Sequence, residues 1–170
     1  MSPTLLLPDA GPLISLAYAN ALDVLQAPGG QVCIVGMVRE EVTRKPTPTN
    51  QGISPWLDSH QIPVAATRTF EQYQLATGNA LSKCNLGELA IQETITRLAL
   101  DEPQTRSVLL FEDDKIARTS FYLPKGVLRV SARVFLQFLR QRGLIESASA
   151  IERAAVQAGR QFSALRFPPA

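Results

Sequence analysis

Several acidic residues, far apart in the chain, stand next to apolar runs or at the start of helical patterns: Asp9, the pair Glu40 and Glu41, Glu88, and the pair Asp113 and Asp114. Carboxylates delivered from separate elements suit hard divalent cations such as Mg²⁺ or Mn²⁺, which prefer carboxylate and water oxygens and offset the mutual repulsion of the acids. A cation held in this way activates a water and stabilises charge on a phosphate under attack, so the chemistry open to the set is metal-assisted phosphodiester hydrolysis. Each acid also has an ordinary explanation. Asp9 and Asp113 follow strand-like runs, where a carboxylate commonly caps the next helix. Asn85-Leu-Gly-Glu88 fits a capping box. Glu40 and Glu41 fit the polar face of a helix. It is the combination that points to a site.

Other chemistries find less support. Cys33 and Cys84 are the two cysteines and His60 the one histidine, with no close metal-ligand spacing among them. There is no Gly-x-Ser-x-Gly elbow and no Gly-x-Gly-x-x-Gly or Walker-type loop. Net charge is only +2, so bulk charge does not advertise nucleic-acid binding. Lys115, Arg118, Lys125, Arg129, Arg133, Arg140 and Arg142 nevertheless follow one another without an intervening acid, as either a solvated face or a phosphate-contacting surface. No apolar run is long enough to cross a bilayer and no secretory signal opens the chain, which makes a cytoplasmic protein the expectation.

The elements that must position the acids follow from hydrophobic periodicity. Thr4–Pro8 reads as a buried strand, with a helix starting near Pro12, so Asp9 stands at a strand's carboxyl end. Val32–Val35 supplies a second strand and Met37–Thr43 a helix carrying Glu40 and Glu41. Lys45 to Gly52 is expected to be a proline-punctuated loop, Ile53–Ser59 a short helix and Ile62–Ala65 a small strand. Phe70 to Ala80 is poorly patterned. Asn85 opens the best helix, reaching Leu100 with Glu88 in its first turn. Ser107–Phe111 is a third strand, Asp113–Phe121 a helix, Val127–Val130 a fourth strand, and Ala132–Arg142 and Ala148–Arg160 are closing helices. Strands alternating with helices across 170 residues predict one α/β domain, residues 1–170, with a mainly parallel sheet. Sites in such sheets form beyond the carboxyl ends of the strands.

Four stretches, in order, resemble the PIN-domain family, in particular the VapC-like toxin ribonucleases: Leu5-Leu-Leu-Pro-Asp-Ala-Gly-Pro-Leu-Ile-Ser-Leu, Val38-Arg-Glu-Glu-Val, Asn85-Leu-Gly-Glu-Leu-Ala-Ile and Val108-Leu-Leu-Phe-Glu-Asp-Asp-Lys-Ile-Ala-Arg. The resemblance implies a three-layer α/β/α fold and cleavage of single-stranded RNA with Mg²⁺ or Mn²⁺. It implies Asp9, Glu41, Glu88 and Asp113 as the catalytic acids, with Asp9, Glu88 and Asp113 on the metal. Glu40 stands as the substitute for Glu41 and Asp114 for Asp113. Lys115 and Arg118, just beyond the acidic pair, are expected to steer RNA. A homodimer silenced by a cognate antitoxin protein is also implied. Where many members carry Thr or Ser shortly before the last acid, this chain has Phe111-Glu112, which adds a negative charge instead. Two rival readings are a non-catalytic PIN-like module that binds RNA or protein, and a receiver-like phosphoacceptor domain; the late position of Asp113-Asp114 fits the second poorly.

Overall fold

The computed structural model describes residues 4–76, 85–112 and 123–160. Strand β1 (Thr4–Pro8) buries Leu5, Leu6, Leu7 and Pro8 in succession, and β5 (Arg106–Phe111) buries Leu109, Leu110 and Phe111 completely. A strand solvated on one face would alternate; unbroken burial requires helices on both faces of the sheet. The sheet order is β2 (Gln31–Val32), β1, β5, β6 (Val127–Ser131), every pair parallel. A second parallel pair joins β3 (Ile34–Val35) to β4 (Val64–Ala65). Cys33 links the two sheets: its N–H donates to Leu6 O (3.0 Å), and the next N–H, of Ile34, donates to Pro63 O (3.0 Å). The single strand expected over Val32–Val35 is thus two halves that change partner at Cys33. Burial pushes the Cys33 thiol pKa up, as expected for a packed rather than reactive cysteine.

Around the sheet lie α1 (Ala10–Tyr18), α2 (Gly36–Thr43), α3 (Pro48–Ser59), α4 (Arg68–Leu75), α5 (Leu86–Asp101), α6 (Ala132–Gln141) and α7 (Ala148–Gln157). Helix α1 packs on α2, α3 and α7; α5 packs on α2 and α4; α6 packs on β5, β6 and α7. The result is a three-layer α/β/α arrangement with a mainly parallel central sheet, the fold class expected from the sequence. Among the described residues no helix is long and apolar enough to cross a membrane.

Three expectations need correction. Helix α1 begins at Ala10, not near Pro12, because extended Asp9 (φ −74°, ψ 172°) takes the N-cap position; Pro12 then falls in the first turn, where a missing N–H costs nothing. The loop expected from Lys45 to Gly52 is helical from Pro48: the Thr47 hydroxyl accepts from Asn50 N–H (3.3 Å) and Pro48 fills the first helical position. The unpatterned stretch from Phe70 contains α4, whose amino end is held from outside itself. Glu93 on α5 accepts from the N–H groups of Arg68 (2.7 Å) and Thr69 (3.1 Å), and Thr67 accepts from Phe70 N–H (3.2 Å). The helix expected over Asp113–Phe121 lies outside the described residues, as does Cys84.

Candidate functional site

Strands β1 and β5 lie side by side in register, Pro8 opposite Leu110, so their carboxyl ends coincide. Asp9 extends this ladder, its N–H donating to Leu110 O at 2.9 Å. Although it occupies the N-cap of α1, its side chain accepts no capping hydrogen bond from that helix. Asp9 is only 2% exposed, and it lines a cavity of about 340 Å³ together with Glu40 and Glu41 from α2 and Asn85, Leu86, Gly87 and Glu88 from the start of α5. Met37, Arg44 and Tyr73 also line it. Acids from a strand end and two helices therefore meet at one opening.

Local chemistry explains how each arrives. Glu40 and Glu41 sit mid-helix in α2, and the backbone N–H of Arg44 donates to Glu40 O (3.0 Å), carrying the helical turn to the rim. Gly87 makes room for Glu41: a Cβ built on Gly87 would stand 3.3 Å from Glu41 Oε2, so the absent side chain lets this carboxylate lie against the first turn of α5. The amino end of α5 carries partial positive charge, which favours acids there. Glu88 is not spent on capping. Asn85 adopts a left-handed conformation (φ 69°) and makes no side-chain cap bond, so the capping box that the spacing suggested is not formed.

Of the other expected site residues, Asp113, Asp114, Lys115 and Arg118 lie outside the described residues. Glu112, which the sequence suggested would add charge to the site, turns elsewhere. It is 8% exposed, accepts from Ser15 Oγ (2.6 Å) and lies 3.9 Å from the Arg160 guanidinium, under α1 and α7. Gly11 is what admits it there: a Cβ on Gly11 would overlap Glu112 Cγ. Arg133 is likewise withdrawn from the basic run, pairing with buried Glu152 at 3.3 Å. Arg142 lies over the Phe138 ring at 5.3 Å. His60 is remote from the cavity and contacts Trp56, Ser59 and Asp23.

Arg44 and Tyr73 were missed by the sequence reading. Arg44 had a readable signal, since it follows Glu40 and Glu41 at helical spacing on the same face. Tyr73 had none, because the helix carrying it was not recognised.

The all-oxygen donor set of the cavity suits Mg²⁺ or Mn²⁺ in kind. Among the described residues, no three acids, cysteines or histidines form a ready ligand cluster. Asp9, Glu40, Glu41 and Glu88 line one cavity without forming such a cluster, and Asp113 and Asp114 lie outside the described residues. No protein-family model and no curated protein matches the sequence.

Proposed function

We propose that the protein is a divalent-metal-dependent ribonuclease that cleaves single-stranded RNA at this cavity, acting as the toxin of a toxin-antitoxin pair. One observation carries the reading: Asp9, Glu40, Glu41 and Glu88, from three separate elements, line one open cavity. Sequence-distant acids with purely local roles would have no reason to converge. Asp9, Glu88 and Asp113 would hold Mg²⁺ or Mn²⁺, with Glu41 or Glu40 beside them, and the bound ion would supply an activated water and charge stabilisation at the phosphate. The chain's own contribution is to fix these acids on rigid elements: Asp9 by the β1–β5 ladder, Glu41 by its seat against Gly87, and Glu88 by the first turn of α5. The toxin assignment, with its homodimer and silencing antitoxin, draws on the PIN resemblance.

The test is cleavage of a single-stranded RNA by the full chain with Mn²⁺, with EDTA, and with Mn²⁺ in an Asp9→Asn variant. Cleavage is expected only in the first. Equal activity in all three would remove the metal from the mechanism. Mn²⁺ binding without any RNA cleavage would favour the non-catalytic binding module instead.

A further inference from the structure

Among the described residues that line the acidic cavity, Arg44 is the one cation, and its partner is unexpected. Glu40 and Glu41 precede it at the helical spacings that usually give ion pairs. Its guanidinium instead donates to the phenol oxygen of Tyr73 at 3.2 Å, and among the described residues it forms no ion pair with the acids beside it. An arginine has five N–H donors in a planar fork, so one bond to a neutral phenol fixes the group while leaving donors for an anion. Tyr73, on α4, is half-buried and lies nearly parallel to Phe70, with ring centroids 6.3 Å apart and 16° between planes. A fixed cation and an aromatic pair thus adjoin a cavity whose other charged lining residues, among those described, are acids.

The geometry points to Arg44 and Tyr73 as the substrate contacts of this site: Arg44 takes a backbone phosphate of single-stranded RNA, and Tyr73 stacks an unpaired base. The inference rests on the reading of the cavity as a nuclease site. A polyanion approaching clustered carboxylates needs a cation that those carboxylates have not already neutralised, and Arg44 held by Tyr73 is that cation. A base can reach an aromatic side chain only when its own faces are uncovered, which selects a single strand over a duplex.

The test separates binding from hydrolysis. Fluorescence anisotropy of a short, unstructured, end-labelled RNA is measured in EDTA across a salt series, with the same sequence as a duplex for comparison. Arg44→Ala is expected to weaken single-strand binding roughly tenfold, the loss of one charge-assisted hydrogen-bonded contact. It should also flatten the slope of log affinity against log salt by about 0.7, one single-strand phosphate. Arg44→Lys should restore the slope while recovering affinity only in part. Tyr73→Ala should weaken binding by about tenfold without changing the slope, the signature of lost stacking. Arg44 is exposed and Tyr73 half-buried, and circular-dichroism melting would confirm that the variants fold. Arg44-dependent binding without Mn²⁺-dependent cleavage would sink the nuclease reading and leave these contacts standing. Cleavage with KM and salt slope indifferent to Arg44→Ala would do the reverse. Equal affinity for duplex and single strand, or no RNA binding by the unaltered protein, overturns the inference.

Discussion

Two groups of acids flank the carboxyl ends of β1 and β5, and the fold treats them in opposite ways. Under α1, α6 and α7, Glu112 and Glu152 are each 8% exposed and each faces an arginine, Arg160 at 3.9 Å and Arg133 at 3.3 Å, with the Ser15 hydroxyl donating to Glu112 as well. On the α2, α4 and α5 side, Asp9, Glu40, Glu41 and Glu88 share an open cavity whose arginine is turned to a tyrosine. A buried acid with matched donors is a structural part: removing one partner leaves the other desolvated and uncompensated. Acids from separate elements gathered around one opening place several like charges close together, an arrangement that a bound cation would stabilise. Under the function proposed above, similar side chains would serve folding in one place and ligand capture in the other.

The largest effects should separate the two groups cleanly. Asp9→Asn is expected to lower Mn²⁺-dependent RNA cleavage on the order of a thousandfold, the several kcal/mol that a metal's charge stabilisation supplies. Its unfolding free energy should fall by less than that of Glu112→Ala, because the substitution keeps the side chain's size and costs α1 no cap bond. Glu112→Ala should show the opposite pattern, losing about 2–4 kcal/mol in urea unfolding as the Ser15 hydroxyl and Arg160 lose a buried partner. Should Asp9→Asn destabilise the protein as much as Glu112→Ala does, the contrast between the groups collapses.

Gly11 tests the buried group from its other side. An added methyl would overlap Glu112 Cγ, and because that side chain is enclosed it has little room to swing away. Gly11→Ala is expected to cost about 1–3 kcal/mol by overpacking. In a double-mutant cycle, most of that cost should vanish on the Glu112→Ala background, because both changes act on one contact. Strictly additive losses would mean that the steric clash is relieved by movement of α1.

Glu93 is a third kind of acid, paired with backbone N–H groups. Burial is the largest single influence and raises its pKa, but hydrogen bonds from Arg68 N–H, Thr69 N–H and the Thr69 hydroxyl, with Arg97 nearby, together hold the carboxyl below its ordinary value. A carboxyl whose folded pKa is depressed adds stability above its unfolded pKa and loses it as pH falls through the folded one. The unaltered protein should therefore be more stable than Glu93→Gln at neutral pH, with the gap closing as the solution becomes acidic. A gap independent of pH would assign the effect to packing of α4 rather than to charge.

How much of this was legible in the sequence depends on what set each feature. The buried strands Leu5-Leu-Leu and Val108-Leu-Leu-Phe were readable because burial on both faces leaves unbroken apolar runs. Their carboxyl ends followed, and so did the place of Asp9. Helix α4 was not readable: none of its residues is fully buried, and its amino end is held by Glu93 from another helix, a contact that periodicity cannot carry. Tyr73 was lost with it. The start of α3 was available in Thr47-Pro48, a cap followed by a first-position proline, but the surrounding prolines and polar residues read as loop. The Asn85–Glu88 spacing suggested a cap that does not form, and Asp9 holds a cap position without capping. Both exceptions fall on the cavity wall, where local preference gives way, as it does at sites that spend side chains on something other than folding.

The smallest expected effect bears on which glutamate of α2 belongs to the site. Gly87→Ala puts a methyl 3.3 Å from Glu41 Oε2, close enough to displace that exposed carboxylate by a few tenths of an ångström without straining the backbone. Alanine is the better helix former and narrows the unfolded ensemble, so stability should rise by about 0.5 kcal/mol. Cleavage should fall several-fold all the same, because a small displacement of a positioned acid is felt in the rate. Stability and activity moving in opposite directions would place Glu41 in the reacting shell. If the variant gains stability and cleaves RNA as before, Glu40 takes that role, since the methyl presses on Glu41 and not on its neighbour.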